Sequence, residues 1–402
     1  MTALVGIDDI RRARELVGPV LRATQTEISD NLSRLCGRPM LLKAEHLQRT
    51  GSFKIRGAYT AIHPHRGSGS EIVAASAGNH AQGVALAATL CGLTSTIFMP
   101  TGAAFPKVDA TRSYGGTILF EGHVLDETIA AAREYAATKR ARFIPPFDDP
   151  LVIAGQGTCG LEIMEQAPDV EAVVVPVGGG GLISGIAAAF RAERPDVRVI
   201  GVEASGAASM VASLDAGEPV TLGTVQTMAD GIALMAPGPL TMAHVEALVD
   251  DIVTVSEDEI GSSLVLLLER AKAVVEPAGA AAVAAVLAGK VPGRGAAVAV
   301  LSGGNVDPLL LGHLIERGLS AAGRYLRFRV VTPDRPGSLA AISRAIADQG
   351  LNVLEVEHNR ASVILGMNEV EIIFTVETRS PDHRDEALDA VRRLGVVVEH
   401  LP

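Results

Sequence analysis

The sequence predicts an α/β protein with a mainly parallel sheet, followed by a separate domain of ferredoxin-like order βαββαβ. Apolar strand-like runs alternate with helical runs through most of the chain, which is typical of parallel sheets covered by helices. The chain is 48% hydrophobic but only 3% aromatic, with 42 Gly and no Trp. Its core must therefore come from Ala, Val, Leu and Ile, which suit buried parallel strands. A length of 402 residues allows two or three domains.

The first part of the alternation predicts one sheet-bearing lobe. A helix is expected at 7–17, because Asp8 and Asp9 place negative charge in its first turn. The segment 45–57 is polar and interrupted by Gly. The remaining elements of this lobe are strands at 40–43, 71–76, 95–99 and 115–120 and helices at 81–90, 106–114 and 124–139.

The alternation restarts after Pro145 and Pro146 and predicts a second lobe. Its elements are helices at 156–165, 182–191, 257–272 and 279–287 and strands at 172–177, 198–203 and 296–301. Two lobes within roughly 320 residues imply a cleft between them.

The residue composition changes near Arg317. The segment 317–324 is rich in small and charged residues and is expected to be a connector. We therefore expect a boundary between residues 1–320 and 325–402. The predicted elements of the second domain are strands at 326–331, 353–358, 370–376 and 395–399 and helices at 338–349 and 383–394.

Net charge, cysteine spacing and the length of apolar runs argue against several classes of protein. The net charge of −11 argues against a general nucleic-acid-binding surface. Three scattered cysteines without a CxxC pair give no support for a zinc site or a disulfide framework. The N-terminal segment lacks the apolar stretch of a signal peptide, and no run reaches the length of a membrane span. A reducing, cytoplasmic setting is expected.

A run of four glycines, Gly178–Gly181, joins a predicted buried strand to a helix beginning at Leu182. Glycines allow close approach of a ligand, and the N-terminus of a helix favours an anion, so this turn indicates a phosphate site. It is neither a Walker A loop nor a dinucleotide fingerprint. A tight turn without a ligand is the alternative reading. The turns 76–80 and 302–305 also follow apolar strands, and the carboxyl ends of such strands collect ligands.

Lys54 is one of only six lysines and lies between Phe53 and Ile55, which suggests burial. Arg56 adds a neighbouring positive charge. Burial and like charge both lower the pKa of an amine and favour its nucleophilic neutral form. A buried lysine together with a phosphate cradle suggests an imine to a phosphorylated aldehyde, which is pyridoxal phosphate.

The motif at 51–58 (GSFKIRGA), the motif at 76–80 (SAGNH) and the glycine run at 178–181 together resemble the fold-type II pyridoxal-phosphate enzymes, and most closely the threonine dehydratases (threonine ammonia-lyases). The resemblance covers roughly residues 5–320 and implies a two-lobed, tryptophan synthase β-like domain whose small lobe, about residues 45–145, is inserted in the large one. The motif TPDRPGSL at 332–339 resembles an ACT domain, a regulatory amino-acid-binding module. A homo-oligomer, a dimer or tetramer, is expected. The role in amino-acid metabolism, including isoleucine biosynthesis or catabolism, stays open.

The resemblance also implies roles for individual residues. Lys54 would bind the cofactor covalently and then remove the Cα proton of the substrate. Asn79 would hydrogen-bond the phenolic oxygen of the cofactor, Ser302 would face its pyridine nitrogen, and Phe53 would pack beside its ring. The backbone N–H groups expected at the phosphate are those of Gly178, Gly179, Gly180, Gly181 and Leu182. The residues expected at the substrate carboxylate are Ser76, Ala77, Gly78, Asn79 and His80.

Two positions separate the expected activity from those of related enzymes. A hydroxyl at Ser302 does not keep the pyridine nitrogen protonated as a carboxylate would, which favours β-elimination over racemisation. Serine racemases of this fold carry a serine acid where this chain has Ala77, so little racemase activity is expected. Serine racemase or hydroxyaspartate dehydratase remains an alternative, as does an amino-acid sensor without catalysis.

Three further sites remain open at this stage. Relatives with a divalent cation use a Glu, a carbonyl and an Asp, and here Glu203 and Ala207 are followed by Ser209 in place of the Asp, which weakens such a site. Glu276 precedes Pro277 and is explained equally by helix initiation and by a place near the cofactor. An amino-acid effector is expected at the start of a helix, with Ser338 as an N-cap or sheet-edge pairing of subunits as alternatives. The residues expected to bind that effector are Asp334, Arg335, Gly337, Ser338 and Leu339.

Overall fold

The computed structural model of the protein describes residues 3–321, 323–360, 366 and 368–401. The chain divides into two compact units, Met1–Asp307 and Pro308–Pro402. Within the described ranges, no helix is long and apolar enough to cross a membrane.

The strands of the first unit form two sheets, as the alternating pattern predicts. They are β1 (Thr26–Ile28), β2 (Met40–Lys43), β3 (Ile72–Ala75), β4 (Ser95–Met99), β5 (Gly116–Phe120), β6 (Arg142–Phe143), β7 (Val170–Pro176), β8 (Arg198–Ala204), β9 (Asp251–Val255) and β10 (Ala296–Val300). The larger sheet has the order β1-β2-β10-β7-β8-β9, in which β1 pairs antiparallel with β2 and the other described pairs are parallel. The smaller, parallel sheet has the order β5-β4-β3-β6 and lies between β2 and β7 along the chain.

Helices cover these sheets. They are α1 (Ile7–Val17), α2 (Asp30–Cys36), α3 (Lys54–Ile62), α4 (Asn79–Leu90), α5 (Phe105–Ser113), α6 (Leu125–Lys139), α7 (Pro150–Gln166), α8 (Gly181–Glu193), α9 (Ser209–Ala216), α10 (Pro239–Leu248), α11 (Glu257–Leu266) and α12 (Pro277–Leu287). Because helices lie on both faces of parallel strands, β7 is buried along almost its whole length. The mixed α/β class is therefore confirmed.

The sequence prediction lacks helices α2, α3, α9 and α10 and strands β1, β6 and β9. Two differences bear on the site. The segment 45–57 is predicted to be polar and interrupted by Gly, yet α3 begins inside it at Lys54 and is almost entirely buried. Helix α7 begins at Pro150 rather than at residue 156, because Asp149 accepts hydrogen bonds from the N–H groups of Leu151 and Val152, at 2.8 and 3.1 Å.

The second unit contains α13 (Pro308–Ala321), β11 (Tyr325–Pro333), α14 (Ser338–Asp348), β12 (Asn352–Asn359), β13 (Glu369–Glu377), α15 (Pro381–Arg392) and β14 (Val397–Leu401). The four strands form an antiparallel sheet of order β12-β13-β11-β14, the ferredoxin-like arrangement that the sequence predicts. Its core includes the stacked rings of Phe328 and Phe374, 5.6 Å apart. The connector expected at 317–324 is wrong in its first part, since α13 continues to Ala321, and Ala322 lies outside the described residues.

Candidate active site

A cavity of about 810 Å³ in the first unit brings together the residues that the sequence predicts to bind cofactor and substrate. Those lining it are Phe53, Lys54, Ser76, Ala77, Gly78, Asn79, His80, Gly178, Gly179, Gly180, Gly181, Leu182 and Ser302. The three turns follow β3, β7 and β10, so the cavity lies at the carboxyl ends of parallel strands from both sheets.

Lys54 is the first residue of α3, and its amine faces this cavity. The Nζ donates a hydrogen bond to the carbonyl oxygen of Pro146 at 3.0 Å and lies 5.2 Å from the centre of the Phe53 ring. Burial lowers the pKa of the Lys54 amine from 10.5 to about 8, although the negative charge of Glu276 acts in the opposite direction. A partly neutral amine near physiological pH is what a nucleophilic lysine requires.

The prediction that the charge of Arg56 lowers the pKa of Lys54 is wrong. Arg56 is fully buried, but its guanidinium donates two hydrogen bonds to Glu45 and two to Glu162, at 2.7–2.8 Å. Its charge is therefore balanced by carboxylates, and burial is the cause of the lowered pKa of Lys54. What Arg56 does is anchor the first turn of α3, on which Lys54 lies.

The glycine run supplies an uncapped helix terminus at the cavity. Helix α8 begins at Gly181, and no described side chain caps it. Its first N–H groups are thus available to an anion. The glycines are also required by protein neighbours: Gly180 has a φ of +85°, and Phe147 fills the space beside Gly179 and Gly181 where a Cβ would lie. Glycine content alone therefore does not distinguish a phosphate site from close packing.

Asn79, Glu276 and Asn305 form a hydrogen-bonded chain on one wall of the cavity. Asn79 Nδ2 donates to Glu276 Oε1 at 2.7 Å, and Asn305 Nδ2 donates to Asn79 Oδ1 at 2.8 Å. Burial, helped by the charge of Asp230, raises the pKa of Glu276 to about 7. Glu276 is the N-cap residue of α12, yet its side chain makes no capping hydrogen bond. Helix initiation therefore does not account for this carboxylate, which belongs to the cavity wall.

His80 lines the cavity, but its ring is hydrogen-bonded to a backbone carbonyl. The ring Nε2 lies 2.9 Å from the carbonyl oxygen of Ile144, so this nitrogen carries the proton and donates it. Burial and the charge of Lys54 lower the pKa of His80 to about 3. His80 is thus a neutral, fixed ring, and what it offers to a ligand is its backbone N–H.

Comparison with protein families decides the class of this site. Residues 18–303 match the model of the family described as pyridoxal-phosphate dependent enzyme. This chain belongs to that family. Residues 326–396 match the ACT domain family, so the ferredoxin-like part is an ACT domain.

Named relatives cover most of the chain. It is 44% identical over 395 residues to an L-threonine ammonia-lyase of Geobacter sulfurreducens, in a match that spans 98% of both chains. The L-threonine ammonia-lyase of Thermotoga maritima is 45% identical over 388 residues, covering 95% of this chain and 96% of the relative. Among solved structures, the T.th. threonine deaminase is 40% identical with a TM-score of 0.72, covering 75% of this chain and 99% of that one. Maize serine racemase is 34% identical with a TM-score of 0.74, covering 79% of this chain and 99% of that one.

The cavity residues fit the family's cofactor. An amine with a lowered pKa, an uncapped helix terminus and a buried hydroxyl at Ser302 lie around one cavity, as a phosphorylated pyridine aldehyde requires. The backbone of Ser302 is held in place, because its carbonyl oxygen accepts a hydrogen bond from Phe53 N at 3.1 Å.

Glu203, one of the residues expected at a divalent cation, is hydrogen-bonded to the backbone. Both carboxylate oxygens of Glu203 accept backbone N–H groups, those of Met210 and Val211, at 2.9 and 3.0 Å. Glu203 therefore caps α9, and its burial raises its pKa to about 7. Over the described ranges, no three His, Cys, Asp or Glu side chains cluster around a metal position. A cation at Glu203 and Ala207 remains a prediction that this geometry does not support.

The turn expected to bind an effector lies at the start of α14 in the ACT domain. The N-cap residue is Gly337, with a φ of +97°, so the alternative that Ser338 caps this helix is wrong. Ser338 Oγ instead donates to the carbonyl oxygen of Pro333 at 3.0 Å. Asp334 pairs with Arg360 at 2.9 Å, and Asp334, Arg335, Gly337 and Leu339 are exposed. An exposed helix N-terminus without a side-chain cap is available to a carboxylate.

Sequence reasoning missed several residues of the site. Pro146 contacts Lys54, and Phe147 packs beside Gly179 and Gly181. Nothing in the local sequence of these two residues indicates that they belong to the site. Lys107 Nζ and Asp230 Oδ2, both lining the cavity, form an ion pair at 2.6 Å. The sequence predicts Asn305 only as a member of the polar turn 302–305 and gives it no role of its own. A signal existed for Asn305, since it follows the apolar strand β10 at its carboxyl end.

Proposed function

We propose that the protein is a threonine ammonia-lyase that converts L-threonine, and also L-serine, to 2-oxobutanoate or pyruvate and ammonia. The observation that carries this proposal is the Lys54 amine, held by Pro146 in the same cavity as an uncapped helix terminus. The names of relatives that are 44–45% identical over 95–98% of the chain support the choice of substrate.

The residues predicted to bind cofactor and substrate would have separate roles in this reaction. The N–H groups at 178–182 would hold the cofactor's phosphate, and those at 76–80 would receive the substrate carboxylate. Asn79 would donate to the phenolic oxygen of the cofactor. Lys54 Nζ would hold the cofactor and, once displaced by the substrate amine, accept the Cα proton. The bound cofactor supplies an electron sink for the pair left at Cα.

Ser302 and Ala77 would both favour elimination over racemisation. A hydroxyl at Ser302 would not keep the pyridine nitrogen of the cofactor protonated as a carboxylate would, so the bound cofactor would supply a weaker electron sink. Loss of the β-hydroxyl as water, with the Cα proton taken by Lys54, would then be preferred, and the released enamine would become an imine that water hydrolyses to the 2-oxo acid and ammonia. Ala77 has no proton to deliver to the opposite face of Cα, so racemisation is disfavoured.

The test uses the full-length protein purified with pyridoxal phosphate. We expect a yellow protein whose long-wavelength band is abolished by borohydride, and release of 2-oxo acid from L-threonine and L-serine. Lys54→Ala should lose both colour and turnover, whereas Lys139→Ala, at an exposed lysine, should keep both. Turnover by Lys54→Ala at the native rate would overturn the mechanism. Formation of D-serine at a rate near that of pyruvate release would overturn the role given to Ala77.

We further propose that the ACT domain binds an amino-acid effector at Asp334, Arg335, Gly337, Ser338 and Leu339 and thereby regulates the enzyme. An effector should raise the melting temperature of the full-length protein in a screen of the proteinogenic amino acids, and Arg335→Ala should weaken that shift. We also propose a cytoplasmic homo-oligomer, a dimer or tetramer. The free cysteines Cys36, Cys91 and Cys159 support a reducing setting.

A further inference from the structure

Four separate segments meet on the cavity wall that carries Asn79. Gly304 N donates to the carbonyl oxygen of Gly51 at 2.8 Å, and Glu276 N donates to that of Gly303 at 3.1 Å. These backbone bonds hold the loop before α3, the loop after β10 and the start of α12 in one arrangement. Asn79, at the start of α4, completes it through side-chain hydrogen bonds.

The direction of every side-chain hydrogen bond in this group follows from one backbone carbonyl. Asn305 Nδ2 lies 2.7 Å from the carbonyl oxygen of Thr50, which can only accept. The atom that Asn305 turns to this side must therefore be its NH₂ group. The same NH₂ group lies 2.8 Å from Asn79, so Asn79 must present its oxygen there.

The orientation of Asn79 is then fixed at its other end. With Oδ1 facing Asn305, the NH₂ group of Asn79 faces Glu276 Oε1 at 2.7 Å, where an acceptor is required. An amide NH₂ has two hydrogens, and Glu276 uses one. The second is left for the cavity that Asn79 lines.

We propose that Asn305 and Glu276 are positioning residues that lock the Asn79 amide with its free N–H toward the phenolic oxygen of the cofactor. The inference rests on the cofactor contact proposed above for Asn79. A reversed amide would present an oxygen to the phenolic oxygen and replace an attraction by a repulsion.

Two glycines leave room for this hydrogen-bonded chain. A Cβ on Gly51, whose φ is +69°, would collide with the amide of Asn305. A Cβ on Gly303 would collide with the carboxylate of Glu276 and approach the amide of Asn79 to 3.0 Å. Gly303 belongs to a turn that the sequence marks as a ligand turn and Gly51 to the motif around Lys54, and the structure assigns both glycines to the side chains behind the ligand.

The orientation requires an acceptor at position 276 but not a charge. Glu276→Gln keeps a carbonyl oxygen of the same shape for Asn79, so the direction of the amide is retained. Asn305→Asp removes the NH₂ group that donates to both Thr50 and Asn79. A carboxylate at 305 accepts a hydrogen bond, so the Asn79 amide turns to give it the NH₂ group.

The test compares the affinity of the full-length apoprotein for pyridoxal phosphate and for 3-deoxypyridoxal phosphate, which lacks the phenolic oxygen. The ratio of the dissociation constant for the 3-deoxy analogue to that for pyridoxal phosphate isolates the contact to that oxygen and cancels any general loss of affinity. Because a hydrogen bond to a charged group is involved, we expect the ratio to fall about 10- to 100-fold in Asn305→Asp and in Asn79→Ala. Glu276→Gln should change it by less than about threefold.

Asn31→Asp is the matched control, because Asn31 Nδ2 also donates to a backbone carbonyl, that of Arg270, at 3.3 Å and lies outside the cavity. Its ratio should equal that of the native protein. If Asn305→Asp does not fold, Asn305→Ala replaces it, and its ratio should fall at least about threefold.

The outcomes separate this inference from the proposed cofactor contact. A native ratio in the Asn305 variant together with a lowered ratio in Asn79→Ala overturns the positioning role and leaves the Asn79 contact in place. A native ratio in Asn79→Ala overturns the contact itself, and the inference with it. A ratio in Glu276→Gln as low as that in Asn79→Ala overturns the claim that an acceptor at position 276 suffices.

Discussion

Replacing Arg56 by Met removes the central cation from a buried cluster of four charged side chains. Lys43, Glu45 and Arg56 are fully buried, and the side chain of Glu162 is 13% exposed. Lys43 Nζ contacts Glu162 at 2.7 Å, so two positive and two negative groups balance one another. The cluster lies beneath the first turn of α3, two residues from Lys54.

The expected loss of stability follows from this balance. Burial alone would raise the pKa of Glu45, and the charge and hydrogen bonds of Arg56 outweigh it and hold that pKa below its usual range. In Arg56→Met, two buried carboxylates face a single ammonium group. Removing one partner from a buried ion pair costs about 3–5 kcal/mol. That is a large share of the roughly 5–15 kcal/mol that stabilises a folded domain.

Urea unfolding followed by circular dichroism measures this loss. The matched control is Arg14→Met, because Arg14 pairs with Glu165 at the surface, where the two side chains are 42% and 55% exposed. An exposed pair contributes about 0–1 kcal/mol, so the control should stay near the native stability. The double variant Glu45→Met, Arg56→Met leaves the Lys43–Glu162 pair and should lose less than the sum of the single variants. A loss for Arg56→Met no greater than that of the control would refute the reasoning.

Three further predictions concern the titration of single groups in the apoprotein. The Lys54 amine should react with an amine-modifying reagent with a midpoint near pH 8, as measured by peptide mapping, since burial lowers its pKa to about 8; a midpoint above pH 10 would contradict this. The pKa of Glu276 is raised to about 7 by burial, so the stability it contributes is complete below about pH 4.5 and is lost as the pH rises through about 7. Glu276→Gln removes that dependence, and its melting temperature relative to the native protein should rise between pH 5 and 8, whereas a constant difference would argue against a raised pKa. The His80 ring, whose pKa burial lowers to about 3, should give NMR signals that do not move between pH 5 and 9, and titration in that range would show that the ring is not held neutral.

The sequence predicts well those features that depend on local pattern. The alternation of strands and helices locates most elements of both units, and the three polar turns after β3, β7 and β10 identify the walls of the cavity. Side-chain periodicity and the ends of parallel strands are local properties, so no long-range contact is needed to recognise them.

The prediction fails where a residue's role depends on a distant partner. From its local sequence, Arg56 is a positively charged neighbour of Lys54. In the structure it donates hydrogen bonds to Glu162, which lies 106 residues away in the chain and which the local sequence cannot reveal. The sequence leaves Glu276 undecided between a helix start and a place near the cofactor, because its carboxylate binds Asn79, which is 197 residues away in the chain. The burial of α3 likewise depends on packing that its polar, Gly-containing beginning does not reveal.

The structure separates the position of Lys54 from its acidity, and this separation is testable. Its position depends on the ion cluster that anchors α3, whereas its lowered pKa depends on burial in the cavity and is opposed by Glu276. Arg56→Met should therefore lower the stability of the fold, while any molecules that remain folded keep a midpoint near pH 8 for modification of Lys54. Lys107→Met, which removes a cation from the cavity wall without touching the cluster, should leave both stability and α3 in place. A midpoint that rises toward 10.5 in Arg56→Met at temperatures where it is folded would show that the cluster also keeps water from the amine.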